Sequence, residues 1–296
     1  MPRPSPFQPD CLAGRIALIT GGGSGIGFEI ARQLLRHGCH GVVLCGRRES
    51  FLQKACALLQ TETPPTVSVS YHVTDVRDPA VCRDAVAHVD ATYGRLDILV
   101  NAAAGNFLAA AKDLSPKGFA TVLAIDALGT FHMCHAAYPL LSRRRDRDSN
   151  EPTALVLNLS ATLQYGATWW QAHASAAKSA VDSLTRSLAL EWGMDGIRVV
   201  GIAPGPIANT PGTTKLAPDT ENAVATQIPL GRMGHAWEIG EAVVFLCVAP
   251  YVTGDVLVVD GGHWLYRTPT VPRERVAELS RKVERQSRAQ APQASL

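Results

Sequence analysis

Several features that would assign the chain to a specialised class are missing from its sequence. No apolar run approaches the ~18 residues needed to cross a bilayer, and the proline-rich N-terminus has no apolar segment of the signal-peptide kind. The seven cysteines are dispersed without a CxxC pair or metal-ligand spacing, which favours free thiols in a reducing compartment. A net charge of +2 gives no support to a nucleic-acid role. We therefore expect no membrane span, no metal site and no nucleic-acid partner.

Apolar runs alternate with helical patterns along most of the 296 residues, of which 46% are hydrophobic. Short β-rich runs lie at 15–20, 41–45, 66–71, 96–100, 153–159, 197–202 and 255–259. Helical periodicity begins after Gly25 and recurs at 49–60, 79–92, 116–141, 172–193 and 236–248. Near-continuous apolar strands separated by helices predict an α/β fold of the Rossmann type, with a doubly wound, seven-stranded parallel sheet and helices on both faces.

The same pattern predicts one catalytic domain over 13–266, preceded by a flexible segment, 1–12, and followed by a tail, 267–296, that is partly helical or disordered. The tail has seven basic and three acidic residues, so it either attracts an anionic substrate or partner or is simply a solvated face. Residues 204–222, rich in Pro, Gly, Asn and Thr, follow a strand and are a candidate substrate lid at the carboxyl edge of the sheet.

The stretch "ITGGGSGIGFEIARQLLRHG" (19–38) predicts a strand, a glycine loop and a helix that bind a dinucleotide. Glycines permit a tight turn and a close backbone approach, and free N–H groups at the helix start hold a pyrophosphate. A glycine motif alone is weak evidence for dinucleotide binding, but its position between the first strand and an amphipathic helix makes the evidence strong. The predicted phosphate-binding residues are Gly21, Ser24, Gly25, Ile26 and Gly27.

The second strand ends in "CGRRES", where Arg47 and Arg48 precede the first carboxylate, Glu49. A guanidinium pairs well with a 2′-phosphate, so NADPH is favoured over NADH, although solvent-exposed arginines at a helix start are the alternative. Further cofactor residues are expected after the third and fourth strands, namely Asp75, Val76 and Asn101.

Four motifs, "TGGGSGIG", "NAAAG" (101–105), "PGPI" (204–207) and the lysine of "HASAAK" (173–178), together resemble the short-chain dehydrogenase/reductase family over about residues 12–265. The resemblance implies a Rossmann fold, a nicotinamide cofactor and a homo-oligomer, usually a tetramer. It also implies that Lys178 binds the nicotinamide ribose. The loop facing the carboxamide would contain Pro204, Gly205 and Ile207, with Thr210 near the phosphates.

Three of the four catalytic positions of that family are altered here. The tyrosine four residues before the lysine is replaced by Ala174, the serine about seventeen before it by Ala161, and the helix asparagine by Asp126. Such changes mean either a loss of chemistry or a different reaction. "AAGNF" (103–107) and "IDALGTF" (125–131), with the tyrosine-less "HASAAK", resemble the branch formed by the peroxisomal 2,4-dienoyl-CoA reductases.

That branch implies NADPH-dependent reduction of a 2,4-dienoyl-CoA to a trans-3-enoyl-CoA in β-oxidation of unsaturated fatty acids. Hydride goes to C5, and a proton goes to C2 by way of Asp126, directly or through water, with Lys178 close by. Mitochondrial enzymes of this activity have a tyrosine about fifteen residues before the lysine, where this chain has Leu163. Two alternatives remain open: Asp126 only fixes a helix, or Tyr165 is the acid.

Substrate residues are expected beyond the fourth strand. Asn106 and Phe107 face the crevice, and the resemblance implies that they border the acyl chain and thioester. Trp169 and Trp170 would line an acyl pocket, form a subunit contact or simply pack. Weaker candidates for the CoA phosphates, which cations suit, are Arg77, Ser115, Lys117 and Lys215.

Two other functions compete with this hypothesis: another NADPH-dependent carbonyl or enoyl reductase, and a catalytically silent NADPH-binding protein. The resemblance also implies a peroxisomal location, with the cytosol as the alternative. The final tripeptide, Ala294-Ser295-Leu296, resembles a Ser-Lys-Leu address at its two ends but lacks the basic middle residue.

Overall fold

The computed structural model describes residues 7–143, 154–216 and 221–289. Seven parallel strands form one sheet in the order β3-β2-β1-β4-β5-β6-β7. The strands are β1 Ile16–Thr20, β2 Gly41–Gly46, β3 Ser68–Val73, β4 Ile98–Asn101, β5 Ala154–Leu159, β6 Ile197–Pro204 and β7 Val256–Val259. The strand order reverses beside β1, and ligands of such sheets bind in the crevice at the carboxyl ends of the strands next to that point. The predicted fold class is confirmed.

Helices connect the strands and cover both faces of the sheet. They are α1 Gly25–Arg36, α2 Glu49–Thr61, α3 Pro79–Tyr93, α4 Pro116–Leu123, α5 Gly129–Ser142, α6 Ala172–Trp192, α7 Pro211–Leu216, α8 Glu221–Ala225, α9 Ala236–Val248 and α10 Arg273–Ala289. Alternate strand residues enter opposite cores because side chains alternate along a strand. Ile19 packs in the layer that contains α1 and α9, whereas Leu18 packs in the layer that contains α3 and α5.

Most strand boundaries differ from the sequence prediction by one residue, and a few differ by more. β4 begins at Ile98, two residues later than expected. β3 begins two residues late, because residues 64–67 form a turn in which the Val67 N–H donates to the Pro64 carbonyl. β6 continues to Pro204, which needs no N–H at the end of a strand. The segment 204–222, expected only as a lid, contains α7 and the first residues of α8. Pro211 begins α7, at a position where the backbone N–H would have no partner within the helix.

The helical stretch Pro116–Ser142 is long and apolar enough, by length and composition alone, to cross a membrane. However, 44% of its most apolar window is buried inside the protein, and its two helices pack against α6 and α3. It also contains a buried carboxylate, Asp126, which is 1% exposed. We interpret it as a core helix, because core helices pass the same test of length and composition.

The chain divides into two compact units, 1–264 and 265–296. The second contains α10, a helix of 17 residues within the tail that was expected to be partly helical or disordered. Its Val276 and Val283 side chains are both more than half exposed. The domain boundaries at 12 and 266 stay a prediction.

Candidate active site

The glycine loop after β1 is built so that only glycine fits at two positions. Gly21 has a φ of +68°, and a Cβ there would lie 2.6 Å from the Ala102 carbonyl oxygen. A Cβ at Gly27 would lie 2.6 Å from the Gly21 carbonyl oxygen. Ser24 precedes α1, and its side chain caps none of the helix N–H groups in the described part of the chain. The N–H groups at the start of α1 are therefore available to an anion.

A cavity of about 520 Å³ opens above this loop at the carboxyl edge of the sheet. Eleven of the predicted ligand-binding residues line it: Gly21, Ser24, Gly25, Ile26, Gly27, Arg47, Arg48, Asp75, Val76, Asn106 and Thr210. Sequence reasoning missed several apolar lining residues, among them Phe51, Ala103, Ala104, Ile125 and Leu159. These residues can make only van der Waals contacts with a ligand, so their residue types did not indicate a binding site in the sequence.

Cations concentrate at the end of the cavity next to β2. The guanidinium carbon of Arg48 lies 3.8 Å from the centre of the Phe51 ring, a cation–π contact that holds this side chain at the rim. Glu49 is engaged elsewhere, since its carboxylate accepts a hydrogen bond from the Tyr71 hydroxyl at 3.1 Å. The end of β2 therefore presents two guanidinium groups, whereas its first carboxylate binds to β3.

Asp75 and Arg77 form an ion pair after β3. The Arg77 Nε donates to Asp75 Oδ1 at 2.9 Å, and Nη2 donates to Oδ2 at 2.5 Å. Arg77 thereby lowers the pKa of Asp75, partly against the effect of burial. Arg77 is thus engaged with a carboxylate that lines the cavity, and its assignment to the CoA phosphates gains no support from this placement.

Asn101 and the "PGPI" loop are not among the residues that line this cavity. The Asn101 side chain is 4% exposed and donates to Asn158 Oδ1 at 2.9 Å, so alanines 102–104 form the wall instead. Pro204 ends β6, Gly205 packs against Asp260, and Ile207 lines a second cavity of about 240 Å³. The cofactor contact of Asn101 stays a prediction. So do the roles of Pro204, Gly205 and Ile207 at the carboxamide.

The chemically distinctive feature is a buried ion pair between Asp126 and Lys178. Lys178 Nζ lies 3.1 Å from Asp126 Oδ2, and their side chains are 9% and 1% exposed. The same ammonium donates to the Leu159 carbonyl at 2.8 Å, and Leu159 lines the cavity. The other carboxylate oxygen, Oδ1, accepts a hydrogen bond from the Gly105 N–H at 2.7 Å. A carboxylate and an ammonium are thus fixed beside the end of β5.

A turn of π-helix, Ala124–Leu128, carries Asp126 between α4 and α5. Single π-turns inside α-helices occur frequently at functional sites. The Thr130 hydroxyl donates to the Asp126 carbonyl at 2.6 Å, which anchors the backbone of this turn. The carboxylate itself is held from outside the helix, by the "AAGNF" loop and by α6.

The position of the usual catalytic tyrosine is part of the packed interior. Ala174 is 2% exposed and belongs to an apolar cluster with Val122 and Ala177, and Leu163 packs against it. Ala161, in place of the serine, is half-buried and brings no hydroxyl. The usual hydroxyl groups are therefore absent from both positions.

Tyr165 is not placed as a substitute acid. Burial, reinforced by the charges of Asp182 and Asp255, raises the pKa of Tyr165 to about 12. Its ring packs edge-on against Trp264 at 5.6 Å. Lys178 binds Asp126 instead, so the cation that would acidify a tyrosine is engaged with a carboxylate.

The predicted substrate residues divide into two groups. The Asn106 amide donates to Gln171 Oε1 at 2.6 Å, and the Phe107 ring stacks on His173 at 4.2 Å, so both contact the start of α6. Ser115 instead caps α4, accepting from the Gly118 N–H at 3.0 Å, and Lys117 is exposed on that helix. The Lys215 side chain lies outside the described residues. CoA contacts by these last three stay predictions.

The two tryptophans before α6 are largely solvent-exposed. Trp169 is 80% exposed and Trp170 is 55% exposed. The Trp170 carbonyl accepts from the Ala109 N–H at 2.9 Å, which ties this turn to the loop after Phe107. The sequence had left packing, an acyl pocket and a subunit contact open, and this exposure disfavours simple packing.

A metal site is not found in the described part of the chain either. Among the described residues, no three His, Cys, Asp or Glu side chains lie close enough together to hold a metal ion.

The chain is similar to proteins of one family along most of its length. A family model described as Enoyl-(Acyl carrier protein) reductase matches residues 21–263. A protein of Arabidopsis thaliana named peroxisomal 2,4-dienoyl-CoA reductase [(3E)-enoyl-CoA-producing] is 51% identical over 96% of both chains. A Danio rerio protein of the same name is 43% identical over 90% of this chain and 87% of its own.

Similarity to a solved structure covers the same region. The crystal structure of a short chain dehydrogenase from Bacillus anthracis superposes with a TM-score of 0.75 at 32% identity. The match covers 86% of this chain and 98% of the solved one. Sequence and structure therefore agree on the family.

Proposed function

The chain belongs to the short-chain dehydrogenase/reductase family, and on that premise we propose that it is an NADPH-dependent 2,4-dienoyl-CoA reductase. Its product would be a trans-3-enoyl-CoA in the β-oxidation of unsaturated fatty acids. The observation that carries the proposal is the buried pair of Asp126 and Lys178, in a site whose tyrosine position is a packed alanine. Relatives at 51% and 43% identity that are named for this reaction support it.

A nicotinamide dinucleotide fits the glycine-lined cavity, because no side chain fits at Gly21 or Gly27 and the start of α1 offers free N–H groups. When bound, the reduced cofactor supplies the hydride. Arg47 and Arg48 would pair with a 2′-phosphate, since Glu49 is engaged with Tyr71. This charge pattern favours NADPH.

Replacing both arginines by serine should lower kcat/KM with NADPH by roughly 10- to 150-fold, since charge-assisted hydrogen bonds contribute about 1.5–3 kcal/mol. Activity with NADH should stay nearly the same, because NADH has no 2′-phosphate. Initial rates with both cofactors would be compared with those of Arg83→Ser, a change at an exposed arginine of α3. Equal losses with NADPH and NADH would contradict the assignment.

Reduction of a conjugated dienoyl thioester needs an acid that donates its proton to a carbon atom rather than to an oxygen atom. Hydride addition at C5 moves both π bonds toward C1, so negative charge reaches the thioester oxygen as a dienolate. Protonation at C2 then leaves the double bond between C3 and C4. Asp126 would deliver that proton, directly or through a water molecule, while Lys178 stabilises the negative charge of the Asp126 carboxylate. The Gly105 N–H orients the carboxylate for this transfer.

A carbonyl reductase with Tyr165 as its acid fits the site less well, because burial and carboxylate charges raise the pKa of this phenol to about 12. A catalytically silent NADPH-binding protein would not need a buried carboxylate that faces an ammonium. A buried ion pair is often no more stabilising than apolar residues of similar size, so its presence is more consistent with a reaction than with a purely structural role.

The proposed function is tested by NADPH absorbance with 2,4-hexadienoyl-CoA as substrate. We expect NADPH oxidation that depends on the dienoyl-CoA and is much faster than with simple ketones. Faster turnover of ketones would favour the carbonyl reductase. NADPH binding without oxidation in the presence of any of these substrates would favour the silent protein.

We also propose that the protein is a homo-oligomer, a dimer or a tetramer. Leu128 and Phe131 are 53% and 42% exposed, although both are large and apolar. Residues three apart on a helical stretch share a face, and exposed apolar patches commonly mark protein contacts. Analytical ultracentrifugation of the full chain should give a multiple of the monomer mass, and a single-chain mass at micromolar concentration would refute the proposal.

A peroxisomal location is proposed because the Arabidopsis and Danio relatives are named peroxisomal. The tripeptide 294–296 lies outside the described residues. A fluorescent protein fused to the N-terminus of the full chain should give punctate, peroxisomal fluorescence. Diffuse fluorescence would favour the cytosol instead.

A further inference from the structure

His173, the first residue of "HASAAK", is a buried polar side chain without a well-formed hydrogen bond. Its relative exposure is 0%, and neither ring nitrogen makes a hydrogen bond of normal geometry with a described residue, although the ring interacts with the main chain of Phe107. Nearly all buried polar side-chain atoms in proteins are hydrogen-bonded, and an unsatisfied one is destabilising. An imidazole kept in this state therefore indicates a partner that arrives from outside the chain.

The surroundings of His173 connect it to the predicted acyl thioester site. Its ring stacks on Phe107 with a centroid distance of 4.2 Å and an interplanar angle of 26°. Phe107 is 39% exposed, so an aromatic ring at the surface covers the buried imidazole. The hydrogen bond from Asn106 to Gln171 fixes the same loop to the turn that begins α6. His173 thus lies directly beneath the "GNF" segment.

The charge state of His173 follows from these contacts. Burial lowers the pKa of His173, and a weak hydrogen bond with the main chain of Phe107 and the charge of Asp126 only partly oppose this effect. The ring is therefore neutral at physiological pH, with one N–H donor and one acceptor nitrogen.

We propose that His173 is a substrate-binding residue whose ring N–H donates a hydrogen bond to the thioester carbonyl oxygen of the acyl-CoA. This inference rests on the proposed function. The bond would become stronger as hydride addition turns the carbonyl into a dienolate, because a fixed donor stabilises developing negative charge. Protonation at C2 returns the electron pair from the oxygen to carbon, and His173 neither gains nor loses a proton in the step.

Two substitutions separate this role from simple packing. His173→Phe keeps an aromatic ring against Phe107 but removes both nitrogens, whereas His173→Gln keeps a donor but removes the stack. If His173 binds the thioester, His173→Phe should lose about 10²–10³-fold in turnover, the usual effect of removing an oxyanion donor, and His173→Gln should lose less. If His173 only packs, the order is reversed, and that result would overturn the inference.

Binding without turnover provides an independent measurement. Calorimetric titration with hexanoyl-CoA, which has a thioester but no diene, should show about 2- to 10-fold weaker binding to His173→Phe than to the wild type. Binding of free CoA, which has no thioester, should be the same for both proteins. Equal hexanoyl-CoA affinities would overturn the inference. An inactive wild type would instead refute the proposed function, so the two failures are distinguishable.

Discussion

Replacing Asp126 by asparagine should reduce dienoyl-CoA turnover by about 10²–10⁴-fold, the range expected for loss of a general acid. Asparagine keeps an oxygen that accepts the hydrogen bond from the Gly105 N–H, but it brings no carboxylate to Lys178. Asparagine also matches aspartate in size, so the packing around the π-turn should be preserved. Initial rates with saturating NADPH would measure the effect.

Two controls identify the cause of the loss. NADPH affinity, followed by nucleotide fluorescence, should remain within about twofold of the wild type, because Asp126 is not among the residues lining the cofactor cavity. Asp126→Ala should be at least as inactive, since it removes the Gly105 acceptor as well. Near-normal turnover in the asparagine variant would mean that Asp126 only fixes the helix.

Replacing Lys178 by methionine should lower the free energy of unfolding by about 3–5 kcal/mol, since a buried carboxylate would lose its counterion. Asp126 is 1% exposed, so water compensates little of this loss. Adding Asp126→Asn to the same chain should recover more than half of it, because no charge is then left buried. Urea denaturation of the wild type, both single variants and the double variant measures the coupling.

A matched control for this cycle is Lys117→Met, at an exposed lysine of α4 that pairs with no carboxylate in the described residues. That variant should stay within about 0.5 kcal/mol of the wild type, as surface substitutions usually do. If Lys178→Met and the double variant were equally unstable, Asp126 and Lys178 would not be coupled in the folded protein.

The sheet could be predicted because each strand is a nearly continuous apolar run, as in β2 and β5. The glycine loop could be predicted because its residues have backbone requirements that other side chains cannot meet. The π-turn at Asp126 was not predictable, since contacts from Gly105 and Lys178, both distant in sequence, hold its carboxylate. The short helices α7 and α8 were also missed, because five or six residues show no period.

Some site residues could be predicted from their neighbours in the sequence, whereas others could not because their contacts depend on the fold. Arg47 and Arg48 follow a strand end directly, and the structure places both at the cavity. The pairing of Arg77 with Asp75 was predictable from their two-residue separation but was overlooked. His173 gave no signal, because a histidine among alanines commonly packs in a core. Only burial without a well-formed hydrogen bond distinguishes it, and burial is a property of the fold.

The position of the product double bond tests the central claim most directly. The protein would be incubated briefly with 2,4-hexadienoyl-CoA and deuterated NADPH in heavy water, and the product would be examined by NMR. A C2 protonation through Asp126 predicts a trans-3-enoyl-CoA with the cofactor deuterium at C5 and a solvent deuterium at C2. A trans-2-enoyl-CoA with solvent deuterium at C4 would contradict the account, since the proton would then have been added to C4 rather than to C2.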